Sequence, residues 1–146
     1  MSETYQSHGI RFEYPELWEL SEQRGDNETT ITVESPDTSF WSLSIFYGRT
    51  TPEEVLETAV SALQEAYEEV DVYPSKARIG EHQGGARDVE FVCYELINSA
   101  FLRAFETDDF TALVYYQGTD HELVDSKPVL EAITASLRYE PEEDEF

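Results

Sequence analysis

Ile10, Phe12 and Tyr14 alternate with Arg11 and Glu13, the period of a strand with one buried face. Pro15 ends the run because proline cannot donate to a ladder, and Trp18 and Leu20 resume the period beyond the turn. RGDNE at 24–28 is a turn cluster. TTITVES at 29–35 is a second strand, closed by Ser35 and Pro36. WSLSIFYG at 41–48 is a third, with Trp41, Leu43, Ile45 and Tyr47 on one face and Ser42 and Ser44 on the polar parity. The period then changes. Thr51, Pro52 and Glu54 form a helix start, and Leu56, Val60, Leu63, Tyr67 and Val70 fall at helical steps, predicting an amphipathic helix of about five turns.

VDVYPSKARIG follows as a strand that Pro74 confines to an edge or a bulge, and Gly84 and Gly85 mark a turn. ARDVEFVCYELI, SAFLRAFE and FTALVYYQ predict an antiparallel meander with turns around Asn98 and Asp108-Asp109. Both parities of these strands are largely apolar, the pattern of a sheet covered on both faces. Ser126 caps a last helix with Pro128 in its first turn and Val129, Leu130, Ile133 and Leu137 inward. EPEEDEF at 140–146 has no period and one sign of charge, and is expected to be a disordered tail. The fold class is α+β: a central antiparallel sheet of about six to seven strands flanked by helices, in a single domain over residues 1–139.

Composition narrows the environment. A chain of 146 residues buries roughly 68% of its unfolded surface, enough for one core. Its 32 acidic residues face nine basic ones, a net charge of −23, and only Lys76 and Lys127 are lysines. That balance repels phosphate backbones and anionic lipid, so neither nucleic acid nor a membrane surface is an expected partner. Salt screens such self-repulsion, and the surface suits a salt-rich cytoplasm. Cys93 sits alone in the apolar run FVCYELI, where a buried, inert thiol is expected. The N-terminus reads as carrying no signal peptide and no segment approaches the ~20 apolar residues of a membrane span, so a cytoplasmic location is expected.

Chemistry-bearing motifs are sparse. His8, His82 and His121 are scattered, and Asp120-His121-Glu122 reads as a solvated loop, so no metal is expected. Cys93 has no cationic neighbour in sequence to activate it. Ser42 and Ser44 lack a nucleophile elbow and read as surface or small-residue positions. GEHQGG at 80–85 lacks the Lys-Ser and helix of a phosphate loop, and no cofactor is expected. One constellation remains. Simple pairing of the meander would collect Asp88, Glu90 and Tyr94, then Arg103, then Thr111, Tyr115 and Gln117 on one sheet face. Such a face either lines a ligand or partner groove or holds an ordinary cross-strand pair between Arg103 and Glu90 or Asp88.

Three strands, a long helix, three or four strands and a last helix, opened by GIRFEYPELWEL, resemble the Mog1/PsbP-like superfamily over residues 8–139. The resemblance implies a central antiparallel sheet between helices and a tryptophan, Trp18, packed and mostly buried at the sheet's end. It also implies binding and not catalysis. Relatives in that superfamily include a Ran-binding import factor, an extrinsic photosystem II subunit, DcrB-type proteins and chaperones of type VI secretion effectors, and none supplies a catalytic motif to carry over. The expected function is therefore a non-enzymatic protein-binding module, chaperone-like or an adaptor. Its partner would be a protein that is basic or exposes an apolar segment. The competing reading is a small-molecule binder or hydrolase with Glu90 or Asp88 as base and Arg103 as anion clamp.

Overall fold

The computed structural model describes residues 2–48 and 50–140; the acidic stretch at 141–146 lies outside them. β1 (Ser2–Ser7) and β2 (Ile10–Pro15) form a hairpin, and β10 (Arg138–Tyr139) pairs with the free side of β2. β3 (Glu19–Arg24), β4 (Glu28–Glu34) and β5 (Phe40–Phe46) precede helix α1 (Pro52–Ala66). β6 (Asp71–Ile79), β7 (His82–Cys93), β8 (Leu96–Glu106) and β9 (Thr111–Thr119) follow, then helix α2 (Asp120–Ser136). The main sheet is seven-stranded and antiparallel in the order β3-β4-β5-β9-β8-β7-β6. The expected central sheet between helices is thus the one observed, and Pro74 lies on its edge strand.

Two cores sit on opposite faces of this sheet. On one side Ile31, Val33, Trp41, Leu43, Ile45, Val114 and Tyr116 meet Ile10 and Phe12 of the small sheet and Leu130 and Ile133 of α2. On the other, Val55, Leu56 and Leu63 of α1 cover Val89, Phe91, Ala100, Leu102 and Leu113. Trp41 is fully buried, and its Nε1–H donates to Thr134 Oγ1 at 3.0 Å.

Several expectations shift. Ser2–Ser7 is a strand although SETYQS has no buried parity, because it pairs along all of β2. α1 starts at the Thr51 cap and Pro52 as expected but ends at Ala66, since Tyr67 is extended and Glu69 is left-handed. α2 starts at Thr119, whose side chain and that of Glu122 cap each other's backbone, so Asp120-His121-Glu122 is its first turn and not a loop. Pro128 therefore lies inside the helix. It leaves the carbonyl of Val124 without a helical donor, on an exposed residue. The turn after β6 is Gly80-Glu81, with Gly80 at φ +58°. Gly84 and Gly85 lie within β7 instead, where a Cβ on Gly84 would stand 2.0 Å from the Ala104 carbonyl oxygen and one on Gly85 2.8 Å from Leu56. The β7–β8 turn is Tyr94-Glu95 and not the region of Asn98, which is buried in β8. Trp18 is only half-buried, at the turn before β3. Cys93 is half-exposed because it sits near the end of the long hairpin.

Candidate functional site

Register decides which side chains share a face, because directly opposed residues in antiparallel strands point the same way. Arg103 is opposed by Ala86 and Val114, and Asp88 by Phe101, which is opposed by Tyr116. Asp88, Glu90 and Arg103 therefore face α2. Tyr115 is opposed by Leu102 and Ser42, Gln117 by Ala100 and Phe40, and Thr111 by Glu106 and Phe46. These three face the α1 side, and Tyr94 belongs to the hairpin turn. The seven residues expected together are split over two faces and a turn. Pairing across β8 runs 103 to 114, one residue away from the register that would bring 103 opposite 115.

On the α2 side Arg103 is consumed internally. Its Nη1–H donates to Asp88 Oδ1 at 2.7 Å, and its guanidinium lies 5.8 Å and 5.9 Å from the rings of Phe101 and Tyr116. Lys127 of α2 covers the Phe101 ring at 5.0 Å. Burial pushes the Tyr116 hydroxyl up to about 12. An arginine held by a carboxylate and two rings is not free to clamp an anion, and Tyr115 lies behind the sheet. The carboxylate and arginine pocket of the hydrolase reading does not assemble.

The α1 side carries a different arrangement. α1 packs on β7, β8 and β9, and beyond it β4 and β5 alternate between a buried parity and a half-exposed one. The half-exposed positions are Thr30, Thr32, Phe40, Ser42, Ser44 and Phe46, the last packed against the α1-side core. Thr30 and Ser44 share a hydrogen bond of 3.0 Å, and Ser42 Oγ–H donates to the Tyr115 carbonyl at 3.2 Å. Phe40 and Tyr115 stack with ring centroids 5.7 Å apart. The Tyr115 hydroxyl, which burial holds above the ordinary phenol range, donates to Gln117 Oε1 at 2.5 Å. At one end Glu19 stands directly opposite Glu34, and Glu34 opposite Phe40. Opposed like charges destabilise a sheet, so this end favours an incoming cation.

This surface is neutral and hydroxylated along its middle, with the aromatic pair beside the carboxylates at one end. It offers hydrogen-bond donors, acceptors and ring faces but no base positioned against a nucleophile. Of the expected residues it brings together Tyr115 and Gln117. It adds Thr30, Thr32, Ser42 and Ser44, whose signal in the sequence was the polar parity of two strands buried on the other side, and Phe40, which no period in the sequence marked.

No protein-family model matches the sequence, and no curated protein matches it. Solved structures do match by shape. Cyanobacterial PsbP (CyanoP) from Synechocystis sp. PCC 6803 superposes with a TM-score of 0.67 at 10% identity, over 94% of this chain and 92% of that one. PA94 from Pseudomonas aeruginosa, a protein of unknown function, gives 0.59 at 12% identity over 97% and 99%. LpqN of Mycobacterium tuberculosis, involved in cell envelope biogenesis, gives 0.55 at 14% over 97% and 91%.

Proposed function

Taking the Mog1/PsbP-like fold of this chain as the premise, we propose that it is a non-enzymatic, cytoplasmic protein-binding module that receives a basic, extended segment of a partner across the open half of its main sheet. The carrying observation is the half-exposed polar parity of β4 and β5 beside the Phe40–Tyr115 stack. Hydroxyls and the Gln117 amide meet the segment's backbone and polar groups, the rings meet its aliphatic stems, and Glu19 and Glu34 meet its cations. A net charge of −23 steers basic partners toward the molecule and repels acidic ones. The same charge suits a saline interior.

Affinity capture from the native cell lysate, at the salt of that cell, tests the reading. Wild type recovers a discrete basic partner, and Ser42→Arg, which plants a bulky cation on the face, loses it. Recovery of nothing above a bead control, or of the same partner by Ser42→Arg, overturns the proposal.

A further inference from the structure

A second surface stands apart from the open half-sheet, at the far end of the β7–β8 hairpin. β6 pairs with β7 only as far as Glu90, and β9 with β8 only from Asn98, so residues 92–97 project as a two-stranded tip beyond both neighbours. Four large apolar side chains are exposed there: Val92 at 39%, Tyr94 at 95%, Leu96 at 56% and Ile97 at 51%. By register Leu96 shares the α1 side with Cys93, Val92 and Ile97 share the other side, and Tyr94 stands at the turn; exposed apolar side chains concentrated at one tip mark interaction sites more often than scattered ones do.

The backbone at this end is strained. Among the described residues four non-glycine positions have positive φ, and three of them are Glu69, Tyr94 and Glu95. A two-residue hairpin of this kind calls for Asn-Gly or a similar pair. A tyrosine and a glutamate held left-handed are costly, and such strain gathers at functional sites.

Between the tip and the end of α1 runs a groove of about 610 Å³, lined by Ala66, Tyr67, Glu68, Glu69, Val92, Cys93 and Tyr94. Tyr67, on its lining, stacks on the buried Phe91 with ring centroids 4.3 Å apart. Its wall is negative on two counts. The last carbonyls of α1 carry the negative end of the helix dipole with no basic residue in the last turn, and Glu68 and Glu69 add charge of the same sign. We propose that this groove and tip seat an amphipathic, lysine- or arginine-bearing segment of a partner protein. The segment's apolar side chains lie on Tyr67, Val92 and Tyr94, and its cations meet Glu68, Glu69 and the end of α1. Anionic lipid is disfavoured by the same carboxylates. The inference shares the premise of a protein partner with the open-face reading but rests on different residues.

The test uses the full chain, labelled with nitrogen-15, and three synthetic dodecapeptides that alternate leucine with lysine, leucine with glutamate, and serine with lysine. The leucine–lysine peptide binds and shifts the amides of residues 66–69 and 92–97, and the other two bind at least tenfold more weakly. Replacing Tyr94, a fully exposed lining position, by serine leaves the fold's spectrum unchanged and weakens binding at least tenfold. Glu68→Gln with Glu69→Gln does the same. Equal binding by Tyr94→Ser, or shifts confined to residues 30–32 and 42–44, overturns this site while leaving the open-face reading intact. Preferential binding of phosphatidylcholine or phosphatidylglycerol vesicles through the tip overturns it as well, because the occupant is then a membrane.

Discussion

The two tryptophans play unequal parts. Trp41 is fully enclosed between the sheet and α2, and its indole N–H is matched by a Thr134 hydroxyl that in turn donates to the Leu130 carbonyl at 3.0 Å. Trp41→Ala is expected to cost about 3–5 kcal/mol through cavity formation. Trp18→Ala, at a half-buried turn, is expected to cost about 1–2 kcal/mol, a fraction of full burial. Denaturant unfolding of both variants in one salt checks the ranking. Trp18 read as the anchor because it keeps strand period next to a proline; the chain instead turns there, with Trp18 N–H donating to the Pro15 carbonyl at 3.1 Å. A second residue sets acid behaviour. Hydrogen bonds from the Tyr5 hydroxyl and then from Arg24 and His8 hold Glu22 at about 2, below the ordinary carboxylate range. A depressed carboxylate stabilises the fold above its unfolded value and loses that contribution as pH falls toward its folded one. Glu22→Gln should therefore lower stability at neutral pH and flatten the loss between about pH 4 and pH 2, read from Tm against pH.

Elements with one buried parity were legible in the chain: β2, β4, β5, α1 and the edge position of β6 all follow from period and proline. Those missed lacked a local signal. β1 has no buried parity and is held by pairing with β2 and by Tyr5, which stacks on Phe12. The Tyr94-Glu95 turn carries none of the residues that favour left-handed backbone, so Asn98 drew the boundary to itself. The register of β8 against β9 cannot be read where both parities are apolar, and an error of one residue moved Tyr115 and Gln117 to the wrong face. Two predictions belong here. Tyr94→Asn with Glu95→Gly should raise stability by about 1–2 kcal/mol by relieving left-handed strain, seen as a higher denaturant midpoint. Gly84→Ala should destabilise the β7–β8 pairing, because its Cβ meets the Ala104 carbonyl, and should speed amide exchange in both strands.

At the scale of the molecule, charge sets both stability and partner. Of nine basic residues against 32 acidic ones, Arg11, Arg24, Arg87, Arg103, Lys127 and Arg138 are paired with carboxylates, which leaves a large unbalanced negative surface. The apparent Tm should rise steadily from low to molar salt as screening removes repulsion; a flat or falling curve contradicts the saline reading. The central claim is that the open half of the sheet is where a protein partner lies. Site-specific photocrosslinking tests it most directly, with benzoylphenylalanine placed at Ser42 or Gln117 on that face and at Thr58 on the exposed side of α1 as the control. The account predicts one discrete adduct from Ser42 and Gln117 in the cells that make the protein and none from Thr58. An adduct from Thr58 alone, or none from either sheet position, would contradict it.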